Sequence, residues 1–139
     1  MAEVIVSSVG YLKQEIRAGN HTLFADEPVK DGGSDSGPDP YSLLLASLGA
    51  CTAMTLQLYA KRKEWPLEKV EVSLHNQSIY AEDCSDCLTK QGRITKIERY
   101  IHLTGPLTDE QKLRLLEIAE RCPVHRTLTS EITIKDFLD

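Results

Sequence analysis

Three observations predict an α+β fold. Short β-branched segments separated by glycine turns open the chain, one long uncharged helical segment follows, and the later strands precede helices instead of alternating with them. At 139 residues, 41% hydrophobic and 27% charged, the sequence has the size and balance of one soluble domain, 1–139, large enough to build a core without disulfide staples. The net charge of -5 and the lack of a basic stripe argue against nucleic acid or an acidic membrane surface as the main partner. The opening MAEVIVSSVG has neither a positive n-region nor a long apolar h-region, so a cytoplasmic location is expected. Four cysteines in a reducing compartment point to catalysis, metal binding or packing.

Val4 to Val9, Tyr11 to Arg17 and His21 to Ala25 read as an antiparallel meander with turns at Gly10 and Gly19. Pro28 to Pro40, PVKDGGSDSGPDP, reads as a loop, and at this length a functional flap or mobile linker is expected. The helix predicted from about Tyr41 to Lys63 ends in Lys61, Arg62 and Lys63, which complement its dipole, and Trp65-Pro66 stops it. Its stretch YSLLLASLGACTAMTLQLYA is long enough to cross a membrane but is diluted by serine, threonine and glutamine, which favours a buried core helix. A helix apolar all round needs cover on every side. Ala46, Ser47, Gly49, Ala50 and Ala53 permit close backbone approach, so a homodimer with paired central helices is expected.

Lys69 to Tyr80 and Arg93 to Leu103 read as antiparallel partners. Thr108, with Gln111 three residues on, supplies a helix start, and Leu113, Leu115, Leu116, Ile118 and Ala119 its apolar face. Cys122-Pro123 ends that helix and opens a short one to about Thr129. Glu131 to Phe137 is expected to close the fold as a strand.

Cys122 occupies an N-cap position. The free N–H groups of the next turn, with Arg121, His125 and Arg126 nearby, are conditions that favour a thiolate; a buried cysteine at a helix junction is the alternative. Cys51 lies mid-helix, where most cysteines are small hydrophobes. Cys84 and Cys87 form a C-x-x-C that can be half of a zinc site, a vicinal redox pair or a reduced loop; flanking Asp83 and Asp86 disfavour thiolates unless a metal is bound. His75, His102 or a second subunit would have to supply further zinc ligands. Asp26, Glu27 and Asp39 border the long loop and can orient a cation or substrate, surface solvation being the simpler reading. His21 and His125 are candidate bases, but no serine elbow, GxGxxG or P-loop accompanies them, which disfavours hydrolase and nucleotide chemistry.

The run Pro38-Asp39-Pro40-Tyr41-Ser42-Leu43-Leu44-Leu45-Ala46-Ser47-Leu48-Gly49-Ala50-Cys51-Thr52, together with Arg121-Cys122-Pro123-Val124-His125, resembles the OsmC/Ohr family of osmotically induced and organic hydroperoxide resistance proteins, in a branch with a DCxxC loop. The resemblance implies an intertwined α+β homodimer, antiparallel sheets around a long buried central helix, and a dithiol site near the subunit interface. It further implies that Cys51 attacks an organic hydroperoxide and Cys122 resolves the sulfenic acid. No cofactor would be required, and a dithiol reductant such as a lipoylated protein would restore the thiols. Well-studied peroxidases of the family carry a glutamate just after the proline before the helix and an arginine near the first hairpin. Here Tyr41 and Ser42 follow Pro40, and Gly10, Tyr11 and Leu12 stand where the arginine would fall. Arg17 with Asp26, Glu27 or Asp39 is the candidate substitute, with His125 as a further supporting residue. The alternative to an enzyme is an OsmC-like dimer that binds a metal or ligand, or senses peroxide.

Overall fold

The computed structural model describes residues 2–139 and has an α+β architecture. The chain divides into two compact units, one through Ala46 and one from Ser47 to Asp139. In the first, strands β1 (Val4–Ser8), β2 (Gln14–Ala18) and β3 (His21–Ala25) form an antiparallel sheet in sequence order. The register pairs Val6 with Ile16 and Ile16 with Leu23. The second strand starts later than expected, because Val9 N–H donates to the Lys13 carbonyl at 3.1 Å and closes a turn over the intervening residues.

The Gly/Pro/Asp segment is not the structureless linker expected. Val29–Asp31 makes one 3₁₀ turn ended by Gly32 at φ 96°, and the Asp26 carboxylate knits the rest. It accepts from the backbone N–H groups of Glu27, Ser34 and Ser36 at 2.8, 3.2 and 3.1 Å, and from the Ser36 hydroxyl at 2.6 Å. The Ser36 hydroxyl is the main reason that the Asp26 pKa is lowered to about 2, the backbone donors adding to it against the opposing effect of burial. Two glycines make the knot sterically feasible: a Cβ on Gly33 would meet the Glu27 carbonyl oxygen, and one on Gly37 the Phe24 carbonyl oxygen. Asp26 therefore organises the loop, contrary to a ligand-orienting role.

Helix α1 (Pro40–Lys63) starts in the first unit and continues into the second. Asp39 caps it by accepting from the Ser42 N–H at 2.8 Å. It is long and apolar enough to cross a membrane, yet it buries only a stripe: Leu48, Thr52, Leu56, Tyr59 and Ala60. The expectation of a helix buried on all sides is thus corrected for the single chain, where Met54 and Leu58 are 65% and 70% exposed. One layer of packing covers one face only.

In the second unit β4 (Lys69–Tyr80) and β5 (Arg93–Thr104) form a long antiparallel hairpin, with Lys69 opposite Thr104 and Tyr80 opposite Arg93. Helix α2 (Asp109–Ile118) starts with the anticipated reciprocal cap: Gln111 N–H donates to Thr108 Oγ1 at 3.1 Å and Thr108 N–H to Gln111 Oε1 at 3.0 Å. A 3₁₀ turn, Ala119–Arg121, leads into α3 (Pro123–Leu128). The core joins Leu56, Tyr59 and Ala60 of α1 to Leu115, Ile118 and Ala119, with Val70, Ile101 and Leu103 of the hairpin packed against them. Leu113 and Leu116, expected on the same buried face, are instead exposed; Leu115 and Ile118 are the α2 side chains buried against α1. The strand expected at Glu131 to Phe137 does not form, and residues 131–139 are exposed throughout. Among the described residues its alternating Ile132 and Ile134 join no ladder, and a lone strand leaves its backbone groups to water.

Candidate active site around a cysteine pair

Helical spacing places Cys51 beside the buried stripe of Leu48 and Thr52, so its thiol is half-buried where the α2–α3 junction meets α1. The junction delivers Cys122. Its N–H donates to the Ala119 carbonyl at 3.3 Å, its backbone is extended, and Pro123 begins the next helix, which leaves the fully buried Cys122 sulfur over the first turn of α3. His125 N–H donates to it at 3.5 Å. The Cys51 and Cys122 thiols are close enough to influence each other, neither is in a disulfide, and the Val124 N–H acts on both.

The two thiols are pushed in opposite directions. Burial raises Cys51, and the hydrogen bond it gives to Cys122 and the charge on that neighbour raise it further, against weaker help from Val124 N–H and Thr55. Burial also works to raise Cys122, but the hydrogen bonds from Cys51, from the His125 and Val124 N–H groups and from Thr52 outweigh it and lower the Cys122 pKa. The buried sulfur therefore gives up its proton more readily than the accessible one.

Arg99 of β5 supplies the nearby positive charge. Its Nη1 donates to Thr52 Oγ1 at 2.9 Å and its Nη2 approaches His125 Nδ1 at 3.2 Å. A guanidinium only donates, so Nδ1 is the acceptor and the neutral ring keeps its proton on Nε2. Burial, then the Arg99 charge, lowers the His125 pKa, with Glu120 opposing. His125 is thus a neutral imidazole at neutral pH, correcting the expectation that it adds positive charge. Beside these groups lies a cavity of about 530 Å³ with a mixed lining, apolar at Leu48, Ile97 and Ile101 and polar at Arg99, Glu120 and His125. A smaller cleft of about 280 Å³ is bordered by Thr55 and Pro123, neighbours of the two cysteines, and by Leu58 and Arg121.

Residues 33–135 match the family of OsmC-like proteins. The chain belongs to the OsmC-like family. Its fold is similar to that of the OsmC like protein from Mycoplasma pneumoniae, at 18% identity and TM-score 0.73 over 92% of this chain and 86% of that one. It is also similar to the organic hydroperoxide resistance protein OsmC from Legionella pneumophila, at 20% identity and TM-score 0.66 over 93% and 89%. The organic hydroperoxide resistance protein from Elizabethkingia anophelis gives 19% identity and TM-score 0.67 over 93% and 88%. No curated protein matches the chain.

Of the sequence candidates, this OsmC-like chain brings Cys51, Cys122 and His125 together. Arg17, Glu27 and Asp39 belong to the N-terminal unit: Arg17 sits on β2 between Ile5 and Thr22, Glu27 follows the knot at Asp26, and Asp39 serves as the α1 cap. Cys84 and Cys87 are joined as a disulfide at the far end of the β4–β5 hairpin, with Cα atoms 5.4 Å apart, the oxidised form of a vicinal pair. With Asp86 they form a cluster of metal-ligating atoms, all within 4.8 Å of one another. Arg99 and Thr52 were missed. The sequence does carry a signal for Arg99: it interrupts Ile97, Ile101 and Leu103 on the inward face of an alternating strand, where an arginine must have partners.

Proposed function

We propose that this chain, folding as a single OsmC-like domain, is a cytoplasmic thiol peroxidase that reduces organic hydroperoxides through Cys51 and Cys122. The observation that carries the reading is the closely placed, unoxidised pair of sulfurs, one half-buried and one buried, beside a cavity of mixed apolar and polar lining. The names of the Legionella and Elizabethkingia relatives support the substrate class.

Cys51 is the attacking residue because it is the more accessible. Its proton passes to Cys122 along the shared hydrogen bond, and its sulfur attacks the terminal oxygen of the hydroperoxide. The O–O bond breaks, and the alkoxide takes up a proton and departs as alcohol. Cys122 then gives up its proton and attacks the Cys51 sulfenic acid; the S–O bond breaks and the oxygen leaves as water, so two electrons from two thiols have reduced one hydroperoxide. A dithiol, such as a lipoylated protein, restores the pair by thiol–disulfide exchange. No cofactor takes part.

Reduced full-length protein given one equivalent of an alkyl hydroperoxide should form a Cys51–Cys122 disulfide by peptide mapping, and a lipoyl dithiol should reverse it faster than glutathione. A pair that stays reduced while peroxide persists would support the rival, a non-catalytic dimer that senses peroxide or holds a ligand or zinc.

The same reading includes a homodimer with the exposed α1 face at its interface, since Met54 and Leu58 are large, apolar and uncovered. Light scattering is expected to give about twice the chain mass of 15.5 kDa, and Met54→Glu with Leu58→Glu should give monomer. A wild-type monomer at micromolar concentration refutes the dimer.

A further inference from the structure

The tip of the β4–β5 hairpin is held at its base and chemically loaded at its end. Ala81 is fully buried, and its N–H donates to the Gly92 carbonyl at 2.8 Å. Arg93 clasps the opposite strand: Nε donates to Ser78 Oγ at 2.9 Å, Nη2 to the Ser78 carbonyl at 3.0 Å, and the guanidinium stacks on Tyr80. Between these anchors, the Ala81–Asp83 turn places Cys84, whose N–H donates to the Ala81 carbonyl at 3.0 Å, and Asp86 Oδ1 lies 3.3 Å from the Cys84 sulfur. The Cys84–Cys87 disulfide is half-buried, in reach of a soluble reductant. Six residues of β5, about 20 Å of strand, separate Arg93 from Arg99, so this pair is not part of the site at Cys51.

Two states of the loop follow from its donor set. With the disulfide intact, the sulfurs have no charge to offer a cation. Once they are reduced, two thiolates and a carboxylate converge, a soft–borderline donor set that suits zinc, and tetrahedral Zn–S bonds of about 2.3 Å would need the sulfurs about 3.8 Å apart. The C-x-x-C spacing meets that separation. Asp83 and Asp86 also repel thiolate charge, which disfavours a bare dithiolate and favours one neutralised by a divalent cation.

We infer that the hairpin tip is a redox-gated zinc site: Cys84, Cys87 and Asp86 hold Zn²⁺ in the dithiol form, with one position left to solvent, and the disulfide is the metal-free form. Loading requires a reductant, a dithiol or phosphine, that breaks the S–S bond with two electrons and two protons. Zn²⁺ then displaces those two protons from the thiols. In the reverse direction a hydroperoxide accepts two electrons from the two zinc-bound thiolates and two protons from solvent. The S–S bond forms, alcohol and water leave, and Zn²⁺ is released. The inference rests on the metal-binding reading of this loop and is independent of peroxide turnover at Cys51.

The test uses full-length protein reduced by a phosphine, freed of excess reductant, and titrated with Zn²⁺ or with Co²⁺ as a spectroscopic probe. One metal ion per chain is expected, with thiolate-to-cobalt absorption, in wild type and in Cys51→Ser/Cys122→Ser alike, and none in Cys84→Ser/Cys87→Ser. Asp86→Asn should weaken zinc binding by about ten-fold or more while still forming the Cys84–Cys87 disulfide. Hydroperoxide should release zinc to a colorimetric chelator in step with that disulfide. Absence of metal binding with both thiols free, or binding that survives Cys84→Ser/Cys87→Ser, overturns the site. Metal that stays bound as the peptide map shows the disulfide overturns the gating alone.

Discussion

Cys51→Ser is expected to abolish hydroperoxide consumption, a loss of roughly 10³-fold or more, the scale on which removal of a nucleophile is felt. A serine hydroxyl at this position can keep the hydrogen bond to Cys122 and the contact with Thr55, so the core formed by Leu56, Leu115 and Ile118 should be undisturbed. Cys122→Ser should behave differently. Cys51 would still meet peroxide, more slowly because the acceptor of its proton is gone, and no second thiol would close the disulfide, so one equivalent is consumed and the sulfenic acid accumulates. Stopped-flow peroxide consumption and trapping of the sulfenic acid with a 1,3-dione separate the two variants. If Cys51→Ser turns over peroxide as fast as wild type, or if Cys122 is the sulfur that the trap labels, the assignment of attacking residue is wrong. The second outcome has a physical basis to guard against: Cys122 is the thiol whose pKa is lowered, and only its burial argues against direct attack.

What was legible in the sequence divides along the range of the forces involved. The Thr108 cap, the alternation in β4 and β5, and the stop at Trp65-Pro66 are local, and each is found within a few residues of its expected place. The approach of Cys51 to Cys122 is not local, and only the family resemblance anticipated it; neither the mid-helix setting of Cys51 nor the cap position of Cys122 contains the other. Chain context also decided the failures. Ile132 and Ile134 have strand periodicity but join no partner strand in this chain, and the all-round apolar α1 meets cover on a single face. Asp26 read as a solvated surface carboxylate, yet it is buried, because its four donors arrive from residues up to ten positions away. The C-x-x-C spacing at Cys84 is compatible with a disulfide, a metal or two thiols, so spacing alone left the bonded state open. Charge was misjudged at His125, where burial and Arg99 together keep the ring neutral.

The second large effect is expected at Arg99 and Thr52, which act on the cysteines from behind. Thr52 Oγ1 receives the Arg99 hydrogen bond at 2.9 Å and gives its own proton to the Leu48 carbonyl at 2.7 Å, and the same side chain helps to lower the Cys122 pKa. The guanidinium fixes the Thr52 side chain beside the Cys122 sulfur, so Arg99 is a positioning residue acting through Thr52. A hydrogen bond to a charged group contributes about 1.5–3 kcal/mol, which makes Thr52→Val slower by about 10- to 100-fold at neutral pH. The sign of the pH effect follows from what is lost. Removing a donor to the charged form raises the Cys122 pKa, and the acid limb of kcat/KM moves to higher pH, so the defect should shrink as pH rises and thiolate returns. Arg99→Met should show the same limb shift together with a rise in the His125 pKa, read from its imidazole resonances, because the cation that repels the protonated ring has gone. Thr52→Val should leave the His125 titration nearly in place, since Arg99 stays opposite Nδ1. A merely structural role for Arg99 would lower activity uniformly across pH, and that flat profile is the result that would exclude the relay.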